Sequence, residues 1–249
     1  MSQSDWFVRC AAGLGGLPED YLVIDLETTG LNPASPAVLP TQVGSCLVLG
    51  RQIAEAHAAL VDWGKSPHVD PEQFYADVEK TCTKMRERGA AGIAVAQVQE
   101  FGRPPQQVLD EYRAKLVACL EMGMPVVGHN IVAYDLPILE RIFPLTFGDQ
   151  GRMVFDLNRV IDSGMLCLAW FAGCVPPTVD WARDDYYSVI KQRQFKRKWN
   201  LGHCVETFGL ARKHAADLQN AHDALADCRM VHYLIEEFRD RAFAPAVPA

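Results

Sequence analysis

The run Leu22-Val23-Ile24-Asp25-Leu26-Glu27-Thr28-Thr29-Gly30 decides how this chain is read. Tyr21–Leu26 has the apolar, branched character of a buried strand, yet it closes on two acids. Residues two apart on a strand point to the same face, so Asp25 and Glu27 are neighbours. Apolar surroundings make such a pair costly, because buried like charges raise each other's pKa. Two readings stand at this point. The strand end emerges into water and both acids are hydrated, or they form a site at the strand's carboxyl end. The sharp turn Thr29-Gly30-Leu31-Asn32-Pro33 that follows favours a site, since ligands collect where strands of an α/β sheet end.

Two distant stretches supply matching chemistry. Gly128-His129-Asn130-Ile131-Val132-Ala133-Tyr134-Asp135 spans a strand-to-helix junction. Asp135 precedes Leu136-Pro137, a good helix start, so it reads as a cap, a role that does not prevent it from ligating a metal. Ala221-His222-Asp223-Ala224-Leu225-Ala226-Asp227 lies near the C-terminus. On one continuous helix His222 and Asp227 would diverge by roughly 140°. The better geometry puts His222 in the loop before the helix, Asp223 at its cap and Asp227 in its first turns. Leu225, Cys228, Val231, Leu234 and Ile235 then face the core. There His222 is wet and mobile, as a proton shuttle should be; taken alone, it is an ordinary surface histidine. Four carboxylates, Asp25, Glu27, Asp135 and Asp227, would repel one another in a shared cleft unless divalent cations neutralised them. A pair of such cations suits cleavage of a phosphodiester.

The rest of the sequence bounds this reading. With 249 residues, 49% of them hydrophobic, the chain can bury a sizeable core, and its length fits one domain with embellishments. No apolar run approaches the roughly 18–20 residues of a membrane span. The N-terminal stretch carries Trp6, Phe7 and Val8 without a basic start, which argues against a secretory signal. The eight cysteines form no Cys-x-x-Cys pair, and Cys46, Cys119, Cys167 and Cys228 sit among apolar neighbours, as buried thiols of a cytoplasmic protein would. His57 and His203-Cys204 lack partners at zinc spacing. A net charge of −7 is unusual for a nucleic-acid enzyme and predicts short-range substrate contact, with little processivity unless a partner supplies it.

The pattern predicts an irregular lead-in over 1–19, a hairpin of strands Val43–Leu49 and Ile53–Val61 about Gly50-Arg51, and a helix opened by Asp70-Pro71 and running to Arg88. Helices follow at Gln106–Met122 and Asp135–Phe143, with a short strand at Pro125–Gly128 between them. Val160–Asp162 is the last strand, followed by a helix through Trp170. Gly173–Lys198 reads as a loop, Asn200–Phe208 and Asp223–Phe238 as closing helices, and 242–249 as a flexible tail. Strands first in a meander, then alternating with helices, predict an α/β domain with a mixed sheet. Lys191, Arg193, Lys196, Arg197 and Lys198, with Phe195 and Trp199, form the one dense basic run, read either as phosphate contact with base stacking or as a solvated loop. Trp181–Tyr187 reads as a partner surface or a folded-back loop.

Taken in order, Asp-x-Glu-Thr-Thr-Gly-Leu at 25–31, His-Asn-x-x-x-Tyr-Asp at 129–135 and His-x-x-x-x-Asp at 222–227 resemble the three motifs of the DEDDh, or DnaQ-like, 3′–5′ exonucleases. Val160-Ile161-Asp162-Ser163 and Trp199-Asn200-Leu201-Gly202-His203-Cys204 are similar to the family's strand-to-helix step and to the helix before its last motif. Tyr134 stands where Phe is commoner, and 62–105 and 171–198 are longer than a minimal member needs. The resemblance spans roughly 21–240 and implies an RNase H-like mixed five-stranded sheet flanked by helices, in one domain over 20–241. It implies that Asp25, Glu27 and Asp227 hold one Mg²⁺ or Mn²⁺, that Asp25 and Asp135 share a second ion, and that His222 is the general base. It places Thr28, Thr29, Leu31, Asn130 and His222 against the substrate, with Leu31 wedged at the last base. The expected partners are nucleic acid 3′ ends, DNA ahead of RNA, and a polymerase or other replication protein, without membrane contact. RNase T-like trimming of RNA and a non-catalytic interaction module remain the alternatives.

Overall fold

The computed structural model describes residues 17–172, 200–215 and 223–243. Strand β1 (Tyr21–Thr28) runs antiparallel to β2 (Pro40–Leu49), which turns at Gly50-Arg51 into β3 (Gln52–Leu60). Two short strands, β4 (Val126–Gly128) and β5 (Val160–Asp162), add in parallel on the other side of β1. The five-stranded sheet has the order β3-β2-β1-β4-β5, so β1 lies at its centre. This is the mixed sheet of an RNase H-like fold, as the motif order implied.

Alternation along β1 divides the core in two. Leu22, Ile24 and Leu26 point to one face, which helices α1 (Pro71–Glu87), α2 (Val95–Phe101), α3 (Pro105–Glu121) and α4 (Asp135–Phe147) cover with Phe74, Val98, Leu109, Leu116, Leu136 and Leu139. Tyr21 and Val23 point to the other, where Cys46, Val127, Leu166, Val205, Val231 and Phe238 close a second cluster. That cluster draws on α5 (Ser163–Ala172), α6 (Leu201–Thr207) and α8 (Ala224–Phe243), with the short α7 (Leu210–Lys213) between the last two. Each fully buried aliphatic side chain contributes about 1.5–3 kcal/mol, so both faces of β1 are strongly held. Asp25 and Glu27 continue the parity of Tyr21 and Val23, and therefore face α8.

Two boundary differences have local causes. The helix expected to stop before Pro144 continues to Phe147 and ends at Gly148, whose φ of 62° suits glycine. The last helix reaches Phe243, two residues into the segment read as a tail. Helix α2 was not anticipated. Its entry is a Gly-Ala stretch, and the Gln97 Oε1 accepts the Ala94 amide at 2.9 Å in place of a serine or aspartate cap. The segment 62–105 docks on the sheet: Trp63 is buried and donates to Pro40 O at 2.9 Å, and Asp62 N donates to Arg103 O. Cys46, Cys82, Cys119, Cys167, Cys204 and Cys228 are buried free thiols. Among the described residues no helix is long and apolar enough to cross a membrane.

Candidate active site

Close backbone packing delivers the C-terminal acid to β1. In the β1–β2 register Asp25 lies opposite Gly44 and Glu27 opposite Gln42. The first residue of α8 rests directly on Gly44: a Cβ there would fall 2.5 Å from the carbonyl carbon and oxygen of Ala224. Only glycine admits this approach. Asp223 caps α8 through Oδ1, accepting from Leu225 N at 3.0 Å and Ala226 N at 3.3 Å. Asp227 N bonds back to Asp223 O at 2.9 Å, so Asp227 sits in the first turn. Carboxylate oxygens of Asp25, Glu27 and Asp227 consequently lie within 4.8 Å of one another, on three half-buried residues.

Asp135 joins from the start of α4, 3% exposed. It is the first helical residue; the cap position belongs to Tyr134. Its Oδ1 is buried and has no hydrogen-bond partner. The turn before it is built on Asp162, whose carboxylate accepts from Asn130 N at 2.9 Å, Val132 N at 3.3 Å, Gly164 N at 2.9 Å and Met165 N at 3.3 Å. Asp162 thus ties the 130–132 turn to the first turn of α5. Asn130 takes the left-handed conformation (φ 60°) that asparagine tolerates better than most residues, and His129 Nδ1 lies 2.9 Å from Ser163 Oγ.

The electrostatics are those of crowded acids. Burial, followed by the charges of Asp227, Asp135, Glu27 and Asp223, pushes Asp25 well above the carboxylate range. Glu27 is pushed up to about 8 by burial and then by Asp227, Asp223 and Asp135. Asp135 is pushed up to about 8 by burial; hydrogen bonds from its own amide and that of Leu26 oppose this, while Asp162 and Asp227 add to it. Among the described residues no lysine or arginine forms an ion pair with Asp25, Glu27 or Asp135. Three carboxylates with oxygens at this spacing, and an orphaned buried oxygen on Asp135 beside them, fit a hard divalent cation.

The remaining expected contacts lie around the turn after β1. The Tyr134 hydroxyl donates to Gly30 O, and Thr28 Oγ1, 2.7 Å from the same carbonyl, donates either to it or to the Tyr134 oxygen. Burial pushes that phenol up to about 12. Thr29 Oγ1 donates to Ala37 O and accepts from Leu39 N, both at 3.0 Å, and Thr81 Oγ1 from α1 donates to Thr29 O at 2.7 Å. Thr28 and Thr29 are buried, whereas Leu31 is 77% exposed. The structure therefore brings together Asp25, Glu27 and Asp227 and sets Asp135 beside them, while Thr28 and Thr29 are bound within the turn after β1. His222, the basic run at 191–198 with Trp199, and the Trp181–Tyr187 stretch lie outside the described residues.

Two residues went unread as contributors to this geometry. Asp162 was noticed only as part of a strand-to-helix step. Gln42 falls just outside the strand expected at Val43–Leu49, whereas the observed β2 begins at Pro40 and includes it.

No protein-family model and no curated protein matches the chain. Among solved structures it is similar to the zinc ion-bound form of the E. coli exonuclease I–ssDNA complex (16% identity, TM-score 0.55, covering 90% of this chain and 41% of that one). It is also similar to the moderately thermophilic exonuclease I of Methylocaldum szegediense (18%, 0.58, 91% and 41%) and to the complex of E. coli exonuclease I with SSB-Ct (16%, 0.52, 90% and 41%). This chain spans about two-fifths of the length of those proteins. At such identities the likeness is one of architecture: across nine-tenths of its length the chain has the RNase H-like fold seen in the exonuclease I structures.

Proposed function

We propose that this chain is a metal-dependent 3′–5′ exonuclease that releases nucleoside 5′-monophosphates from single-stranded or frayed DNA ends. The observation that carries the proposal is the convergence of Asp25, Glu27 and Asp227, two of them from the central strand and one from a helix some 200 residues later, with oxygens within 4.8 Å. The motif order at 25–31, 129–135 and 222–227 and the exonuclease I fold support it.

Asp25, Glu27 and Asp227 would hold one Mg²⁺ or Mn²⁺, and Asp25 with Asp135 a second. Bound there, the cations would act as Lewis acids on the scissile phosphate and lower the pKa of the attacking water. The chain's own groups do the rest. His222 takes the proton from that water. The Thr28-Thr29-Gly30 turn, braced by Tyr134 and Thr81, seats the terminal nucleotide, and the exposed Leu31 packs against its base. Asn130, in the turn that leads into Asp135, would add a further substrate contact. The net charge of −7 leaves processivity to a partner, which we take to be a replication protein.

The test is digestion of 3′- and 5′-labelled DNA and RNA oligonucleotides, single- and double-stranded, in Mg²⁺, Mn²⁺ or EDTA. Mononucleotide release from DNA 3′ ends that stops in EDTA and in Asp25→Ala is the expected result. Internal fragments would overturn the exonuclease reading. Preferential trimming of RNA would change the substrate class, and no cleavage of any substrate would leave an interaction module.

A further inference from the structure

We infer that Gln42 is the positioning residue that sets Asp227 against Asp25 and Glu27; this inference rests on the reading of those three acids as cation ligands. Gln42 is 7% exposed and lies in β2, directly opposite Glu27. Its side-chain amide uses both ends on the start of α8. Nε2 donates to Asp223 Oδ2 at 2.8 Å, and Oε1 accepts from Ala224 N at 2.9 Å. The first helical amides have no partner within the helix, so a buried start of this kind must find acceptors elsewhere. Gln42 and the Asp223 cap together provide them.

The consequence reaches the acids through short, rigid steps. Gln42 and Gly44 are alternate residues on one face of β2, and α8 is held at both points: by hydrogen bonds at Gln42 and by van der Waals contact at Gly44. Two anchors fix the helix in translation along the strand and in rotation about its axis; Gly44 alone would fix only its approach. Asp227 is one turn from both anchors, so a rotation of the helix start swings its carboxylate relative to β1. Asp223 also adds negative charge beside Glu27 and Asp25. With Oδ2 bound by the Gln42 amide and Oδ1 by the Leu225 and Ala226 amides, the Asp223 carboxylate is held as a cap.

The experiment measures Mn²⁺ affinity by electron paramagnetic resonance in wild type, Gln42→Met, Gln42→Glu and Val231→Ala, together with metal-free crystal structures of wild type and the Gln42 variants. Gln42→Met removes both hydrogen bonds at nearly constant length. Gln42→Glu keeps the acceptor for Ala224 N but turns an oxygen toward Asp223, and it serves if the methionine variant does not fold. Both should weaken Mn²⁺ binding by about 10–100-fold, the usual effect of losing a group that orients a ligand, and should lower kcat more than they raise KM. Val231→Ala, a cavity in the same helix, should cost stability without weakening Mn²⁺. In the crystals the Asp227 carboxylate should withdraw from Asp25 and Glu27. An Asp227 carboxylate that stays in place in both Gln42 variants, or Mn²⁺ affinity equal to wild type, would overturn the inference. Failure of the wild type to bind Mn²⁺ would instead sink the proposed function, and the crystal comparison would still decide the role of Gln42.

Discussion

Replacing Gly44 by alanine puts one methyl group between β2 and the start of α8. Its carbon would sit 2.5 Å from the Ala224 carbonyl carbon and oxygen and 2.8 Å from the Ala224 Cβ. Comfortable contacts between such atoms begin near 3.5 Å, so the helix must retreat by about 1 Å. The obstructing atoms are backbone, and no side-chain rotation relieves them. Overpacking of this kind costs about 1–3 kcal/mol. The functional cost is larger, because a misplacement of about 1 Å in a reacting constellation lowers rates by about 10²-fold, and Asp227 moves with the helix. Gly44→Ala should therefore lose about two orders of magnitude in single-turnover hydrolysis of a 3′-labelled oligonucleotide, while its urea midpoint falls only modestly. Gly202→Ala is the control: its nearest neighbour is Asn200 Oδ1 at 3.8 Å, so it should be neutral or slightly stabilising at an unchanged rate. A Gly44→Ala protein with the wild-type rate would refute the argument that backbone contact at this glycine sets the position of the acid.

The other expectations concern charge and support. In EDTA, Glu27 and Asp135 both titrate near pH 8 in the folded protein, against about 4 when unfolded. Folded pKa values raised in this sense give stability that is complete below about pH 4 and is lost as pH rises through 8. The urea midpoint in EDTA should thus fall between pH 5.5 and 8.5 and Mg²⁺ should remove the fall; a midpoint in EDTA independent of pH would contradict the crowding of these acids. Asp162→Ala leaves four amides without their acceptor and should cost about 2–4 kcal/mol in urea unfolding, with Asp162→Asn recovering part of it. An Asp162→Ala protein as stable as wild type would deny it the role of tying turn to helix. His222→Ala should slow single-turnover cleavage by about 10²–10⁴-fold with Mn²⁺ affinity retained, and an unchanged rate would remove His222 from proton transfer.

Much of the site was legible because it sits where local rules are strong. Alternation along Tyr21–Leu26 assigned Asp25 and Glu27 to one face, and the five-residue spacing of His222 and Asp227 demanded a loop and a cap, which Asp223 supplies. The hairpin at Gly50-Arg51 and the helix after Asp70 followed from turn and cap chemistry, and Asp70 indeed accepts the Glu72 amide at 3.0 Å. What could not be read depends on contacts between distant segments. That Gly44 is a contact point, not merely a weak strand residue, follows only once Ala224 is above it. Gln42 bonds across 181 residues to Asp223, a pairing that no local pattern encodes. Helix α2 escaped because its entry amide is satisfied by a glutamine inside the helix, where the usual capping residue would have announced it.

The order of segments along the chain also times the assembly of the acid cluster. Strand β1 begins at Tyr21, while the acid that completes the cluster arrives only with residue 227, and closing so wide a sequence gap is slow and entropically costly. A nascent polypeptide still lacking residues 223–243 would hold Asp25 and Glu27 on the central strand without Asp227 to complete the cluster. The proposed hydrolytic activity would then appear only once α8 has packed against β2, a timing set by topology.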